Sequence, residues 1–164
     1  MKKLFGLLML VLLLSSGIRV SAQEMQPSYR FGIGAAAGFS TGYGLSFRYW
    51  PGNWGVQTTF APYYDENGGV ISFGLAGMRL IEDAGWIRFF AYAGQHFFFD
   101  SYSEYSAPDP DTYFMSVTGI GPGLEFVIKQ RLGINVMFGM AFYYNNENTT
   151  MLNLTGETGI YYRF

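Results

Sequence analysis

His96 is the only histidine in the 164-residue chain, and "HFFFDS" places Asp100 and Ser101 just beyond it. A base beside a hydroxyl nucleophile is the core equipment of hydrolysis and acyl transfer. Four other residues carry charge into stretches that are otherwise small or apolar: Arg48, Arg88, Glu125 and Glu157. Buried together, two guanidiniums and two carboxylates form ion pairs; buried apart, each is prohibitively costly. Both possibilities depend on elements that bring these positions to one place.

Composition says which elements those are. Aromatic residues make up 20% of the chain, and there are 22 glycines. Aromatic side chains favour strands, and glycine at this density defeats helices. Between turn signals the residues alternate with period two, which predicts eight strands near 29–39, 43–50, 54–64, 70–81, 86–99, 113–128, 134–144 and 152–164. In the first, Phe31, Ile33, Ala35 and Ala37 share a face; in the sixth, Ile120, Leu124 and Phe126 oppose Gly119, Gly123 and Glu125. The alternation blurs around Gly77, where a bulge is expected. Arg48, Arg88, His96, Glu125 and Glu157 all fall on the small-residue face.

Eight amphipathic strands fit a soluble barrel with an apolar inside, or a membrane barrel with that polarity inverted. The less apolar face is mostly Gly, Ala and Ser, a poor surface to show to water. Aromatics bunch at strand ends (Tyr43, Tyr49 with Trp50, Trp54, Tyr63 with Tyr64, Trp86, Tyr143 with Tyr144), as interfacial girdles require. Tight connections ("PGN", "EDAG", "KQRLG") alternate with longer ones. The reading is therefore all-β, an eight-stranded antiparallel transmembrane β-barrel. A barrel of this size is filled by its own side chains, which argues against a porin-like channel. Arg48, Arg88, Glu125 and Glu157 are expected to form an ion-pair plug in the lumen, in the half nearer the tight turns.

The start of the chain reads differently. Lys2 and Lys3 precede an apolar run from Leu4 to Leu14, and a small-residue exit at Ala22 follows. This is the pattern of a secretory signal peptide over 1–22, with the barrel domain over 23–164. Taking Lys2, Lys3 and Arg19 from the 10 basic residues leaves seven against 12 acidic ones, a formal charge of −5 after cleavage. That balance argues against nucleic acid as a partner. The chain has no cysteine, so no disulfide framework supports it. "GIGPG" lies inside a strand with no helix after it, and "PDPDT" lacks the register of a calcium loop, so no cofactor or metal is expected.

The closing "GETGIYYRF" carries the most specific pattern. With the eight strands, it makes the chain resemble the small outer-membrane barrels of Gram-negative bacteria, the OmpA transmembrane domain and OmpX kind. The resemblance implies that Glu157, Gly159, Tyr162 and Phe164 form a signal read by the barrel-assembly machinery. It also implies an exported, monomeric, cofactor-free protein of the outer membrane, surrounded by outer-membrane lipids and lipopolysaccharide. Some barrels of this kind modify lipid A with a histidine and a serine at the outer rim, which would cast His96 and Ser101 as catalytic. This chain departs from them: the palmitoyltransferase's amphipathic N-terminal helix is missing, and Phe98 stands where the deacylase has a polar residue. A structural or interaction role is therefore the main reading, and a lipid A hydrolase or acyltransferase the alternative.

Overall fold

The alternating segments form β1 (Phe31–Gly38), β2 (Gly42–Tyr49), β3 (Trp54–Asp65), β4 (Gly68–Asp83), β5 (Ile87–Tyr102), β6 (Asp111–Ile128), β7 (Leu132–Asn145) and β8 (Thr150–Arg163). The computed structural model describes residues 29–65, 68–102, 111–145 and 150–164. The expected signal peptide over 1–22 and the acidic Glu66, Glu104, Asp109 and Glu147 lie outside the described residues. Each strand runs antiparallel to the next, and β8 returns to β1 from Gly32↔Arg163 to Gly38↔Glu157, closing a barrel. Closure leaves these strands without a free edge along the paired stretch.

The alternation sorts side chains between the two faces of the wall. Ile33, Phe47, Val56, Leu75, Ile120, Phe138 and Ile160 point out and are exposed, with Leu45 at 75% and Leu154 at 80%. In water, each such side chain would forgo ~1.5–3 kcal/mol of burial. Repeated around a closed barrel, this face calls for hydrocarbon as its surroundings. At the end with the tight turns, Phe31 stacks on Tyr49 at 4.8 Å and on Phe164 at 5.9 Å.

The expected bulge at Gly77 is not there. Gly77 stays in register opposite Ala93, and the irregularity falls between Leu80 and Glu82. Small residues blur a hydrophobic pattern without breaking the ladder, which explains the misplacement. The bulge shifts the parity of the strand end and brings Asp83 opposite Arg88.

The wall is uneven in height. β1 and β2 have 8 residues each, whereas β4 and β5 have 16 and β6 has 18. The short β1–β2 turn folds into the lumen, where Ser40 and Thr41 are 0% and 1% exposed. Gly42 allows this entry with φ of +78°, in the left-handed region where side chains are strained. Below the turn, Gly74 on β4 makes room for the Thr41 carbonyl, and a Cβ at 74 would run into it.

Candidate functional site

Two separate clusters of buried polar and charged side chains lie in the lumen. The lower cluster centres on Glu125 of β6. Arg48 Nη1 donates to Glu125 Oε2 at 3.0 Å, and Arg48 Nε donates to Gln57 Oε1 at 2.8 Å. The same guanidinium lies over the Tyr161 ring, 4.1 Å from its centroid. Arg88 Nη1 and Arg163 Nε stand 3.9 and 3.8 Å from Glu125 Oε1. Arg88 has its closest partner elsewhere, donating from Nε to Asp83 Oδ2 at 2.8 Å. Packed against the cluster, Trp50, Met78, Phe90, Tyr92 and Met137 form a buried core inside the barrel.

Of the four predicted plug residues, the structure brings Arg48, Arg88 and Glu125 together and places Glu157 elsewhere. Glu157 accepts hydrogen bonds from Ser40 Oγ and Thr41 Oγ1, and from Tyr92 Oη at 3.1 Å. It latches the inward turn instead of neutralising an arginine. The physical reason is position: Glu157 pairs with Gly38, where β1 gives way to the turn, so hydroxyls reach it. Two members of the lower cluster escaped the sequence reading. Arg163 shares its parity with Glu157 and was detectable on that ground. Asp83 was hidden by the bulge, which changes its face.

The second cluster surrounds His96. The carbonyl of Phe39 can only accept, so the 2.9 Å contact fixes His96 Nδ1 as the proton-bearing nitrogen. Nε2, 2.9 Å from Ser72 Oγ, then accepts from that hydroxyl, and Ser72 Oγ accepts from the Tyr43 N–H at 3.2 Å. One ring thus fastens both ends of the β1–β2 turn to β4 and β5. Ser101 is on the opposite face of β5 and hydrogen-bonds the Gly69 carbonyl at 3.4 Å. Five residues of strand separate it from His96, ~16 Å at strand rise. Ser72 does meet His96, but it is 0% exposed, and no substrate carbonyl can reach it. Among the described residues, no three His, Asp or Glu side chains converge as a metal site would need.

This geometry leaves the lipid A-modifying alternative without support. Lipid A mass spectra are expected to be identical in cells carrying the wild type, His96→Ala or no protein. A mass change that depends on His96 would reinstate the enzyme.

A closed antiparallel barrel of eight strands, apolar outside and filled with polar and charged side chains within, is the architecture of the small outer-membrane barrels. Among solved structures, the chain is similar to the N-terminal β-barrel domain of Pseudomonas aeruginosa OprF, with 18% identity, 85% of this chain and 98% of that chain covered, and a TM-score of 0.56. It is also similar to Neisserial surface protein A, with 12% identity, 82% and 95% covered, and a TM-score of 0.50. Ail, the attachment invasion locus protein of Yersinia pestis, aligns with 14% identity, 82% and 95% covered, and a TM-score of 0.47. At these identities the likeness is one of fold. No protein-family model and no curated protein matches the chain.

Proposed function

We propose that this protein is a monomeric, cofactor-free barrel of a Gram-negative outer membrane, exported by its leader and serving a structural or interaction-mediating role with a closed lumen. In this reading the barrel-assembly machinery recognises Glu157, Gly159, Tyr162 and Phe164, and outer-membrane lipids and lipopolysaccharide surround the wall. The observation that carries the closed lumen is the stacking of two obstructions. The Glu125 ion cluster and the aromatic core fill the lower part, and the latched turn fills the part above.

The test is conductance in planar bilayers. Wild-type protein is expected to pass little current. Glu157→Gln weakens the hold on Ser40 and Thr41, because a neutral amide accepts more weakly than a carboxylate. Brief openings should therefore become more frequent in that variant. Large, steady wild-type conductance would show an open pore and sink the closed-lumen reading.

A further inference from the structure

The low wall at β1–β2 leaves a notch. Pairing of β2 with β3 stops at Leu45↔Phe60, and pairing of β1 with β8 stops at Gly38↔Glu157. On the far sides, β3 stays paired with β4 up to Asp65↔Gly68, and β8 with β7 up to Tyr144↔Thr150. The upper parts of β3 and β8 therefore rise past the hairpin between them. Pro62, which has no N–H to leave unpaired, lies in the β3 stretch without a β2 neighbour.

Behind the notch is a cavity of about 490 Å³. Among the described residues, Ala37 and Gly156 border it on the outer face, Gly38 and the 58% exposed Phe39 border it at the turn, and Phe98 and Met115 line it with less exposure. Two other side chains among the described residues reach it. His96 has both ring nitrogens engaged by Phe39 and Ser72, and the Tyr43 ring packs against His96 and Phe98 at 5.9 and 6.2 Å.

The notch opens into the apolar zone and not above it. Leu154 and Leu152 on β8 lie beyond the last β1 pairing at Gly38↔Glu157, and their side chains are 80% and 54% exposed on the outer face. The lipid-facing surface thus continues past the sill formed by β1 and β2, and the cavity mouth is continuous with it.

We infer that this cavity is a binding site for one hydrocarbon chain of a membrane lipid, which enters sideways through the notch. The inference rests on reading the outer face as lipid-facing. Three features select this occupant. The cavity volume lies within the range of small-ligand sites, ~300–1,000 Å³. Among the described lining residues, both histidine nitrogens are already bonded and the Tyr43 hydroxyl is the one other polar side-chain group, so burial of apolar surface drives binding. Met115 adapts to a chain of variable shape, as unbranched thioethers do. Gly156 leaves the doorway clear, since a Cβ there would meet nothing within 4 Å.

The test uses full-length protein folded into phosphatidylcholine vesicles containing a small fraction of palmitic acid with a terminal diazirine. After irradiation, adducts are mapped by mass spectrometry. Labelling is expected at Phe98 or Met115, and also at the outward Leu152 and Leu154. Gly156→Leu puts a side chain across the mouth, and cavity labelling should fall by roughly tenfold, the factor set by losing the burial of about two methylenes. Surface labelling should be unchanged. Met115→Trp, which fills the cavity from the inner wall, should give the same loss independently of any effect on β8. Labelling confined to Leu152 and Leu154 in the wild type, or cavity labelling indifferent to both variants, would overturn the site while leaving the membrane reading intact. Absence of label at Leu152 and Leu154 as well would overturn both.

Discussion

Replacing Glu125 with glutamine is expected to destabilise the folded barrel by ~3–5 kcal/mol, the usual cost of removing one partner from a buried ion pair. Glu125 is the carboxylate nearest Arg48 and Arg163 in the lower cluster, at 3.0 and 3.8 Å, and it also faces Arg88. Glutamine preserves shape and takes away charge, leaving three buried guanidiniums with Asp83 alone. Urea titration of protein folded in lipid vesicles would read the effect as a lower midpoint with an unchanged slope. The partner change that restores most stability should be Arg48→Gln, with coupling in the double-mutant cycle above ~0.5 kcal/mol. Arg88→Gln should couple less, because Arg88 has Asp83 at 2.8 Å and reaches Glu125 only at 3.9 Å. Strict additivity in both cycles would show that Glu125 is not the hub of the cluster.

Deleting Phe164 is expected to leave the protein in the periplasm, sensitive to protease, when expression is high. Phe164 closes the seam between the first and last strands. Its N–H donates to the Phe31 carbonyl at 2.9 Å, and the Phe31 N–H donates to the Phe164 carbonyl at 3.1 Å. Its ring extends the Phe31–Tyr49 stack along the turn-side rim, where aromatic side chains anchor a wall at the interface. Deletion removes both hydrogen bonds and the end of that stack. Cell fractionation with protease challenge is the measurement. Full recovery of resistant protein in the outer membrane would mean that neither the seam contact nor the proposed assembly signal needs this residue.

The eight strands and the outward apolar face were legible because period-two alternation is a local property, printed along each strand. Arg48, Arg88 and Glu125 could be assigned to the interior for the same reason. What the sequence concealed depends on relations between strands. The bulge at Leu80–Glu82 changes the parity of Asp83, and nothing local marks it more clearly than the small residues around Gly77. The buried turn was harder still. "FSTG" reads as an ordinary polar hairpin connection, and its burial follows from where Gly74 and Glu157, far apart in the chain, meet in the closed barrel. His96 showed that a chemically suggestive neighbour in sequence can lie on the opposite face. Ser101 follows it closely in the chain, yet Ser72, on the adjacent strand, is its partner.

The latch between Ser40 and Glu157 joins positions 117 residues apart. In kinetic terms such a contact forms late, because the long intervening segment must first be drawn together. The carboxylate that holds the first hairpin's turn belongs to the last strand, so no earlier arrangement of the chain can supply it. Latching of the inward turn and completion of the cylinder are thereby tied to the same moment of folding. A nascent barrel lacking only its final strand would hold the ends of its first turn through His96 and Ser72 but leave the Ser40 and Thr41 hydroxyls without their carboxylate, and one that gains that strand completes wall and latch together.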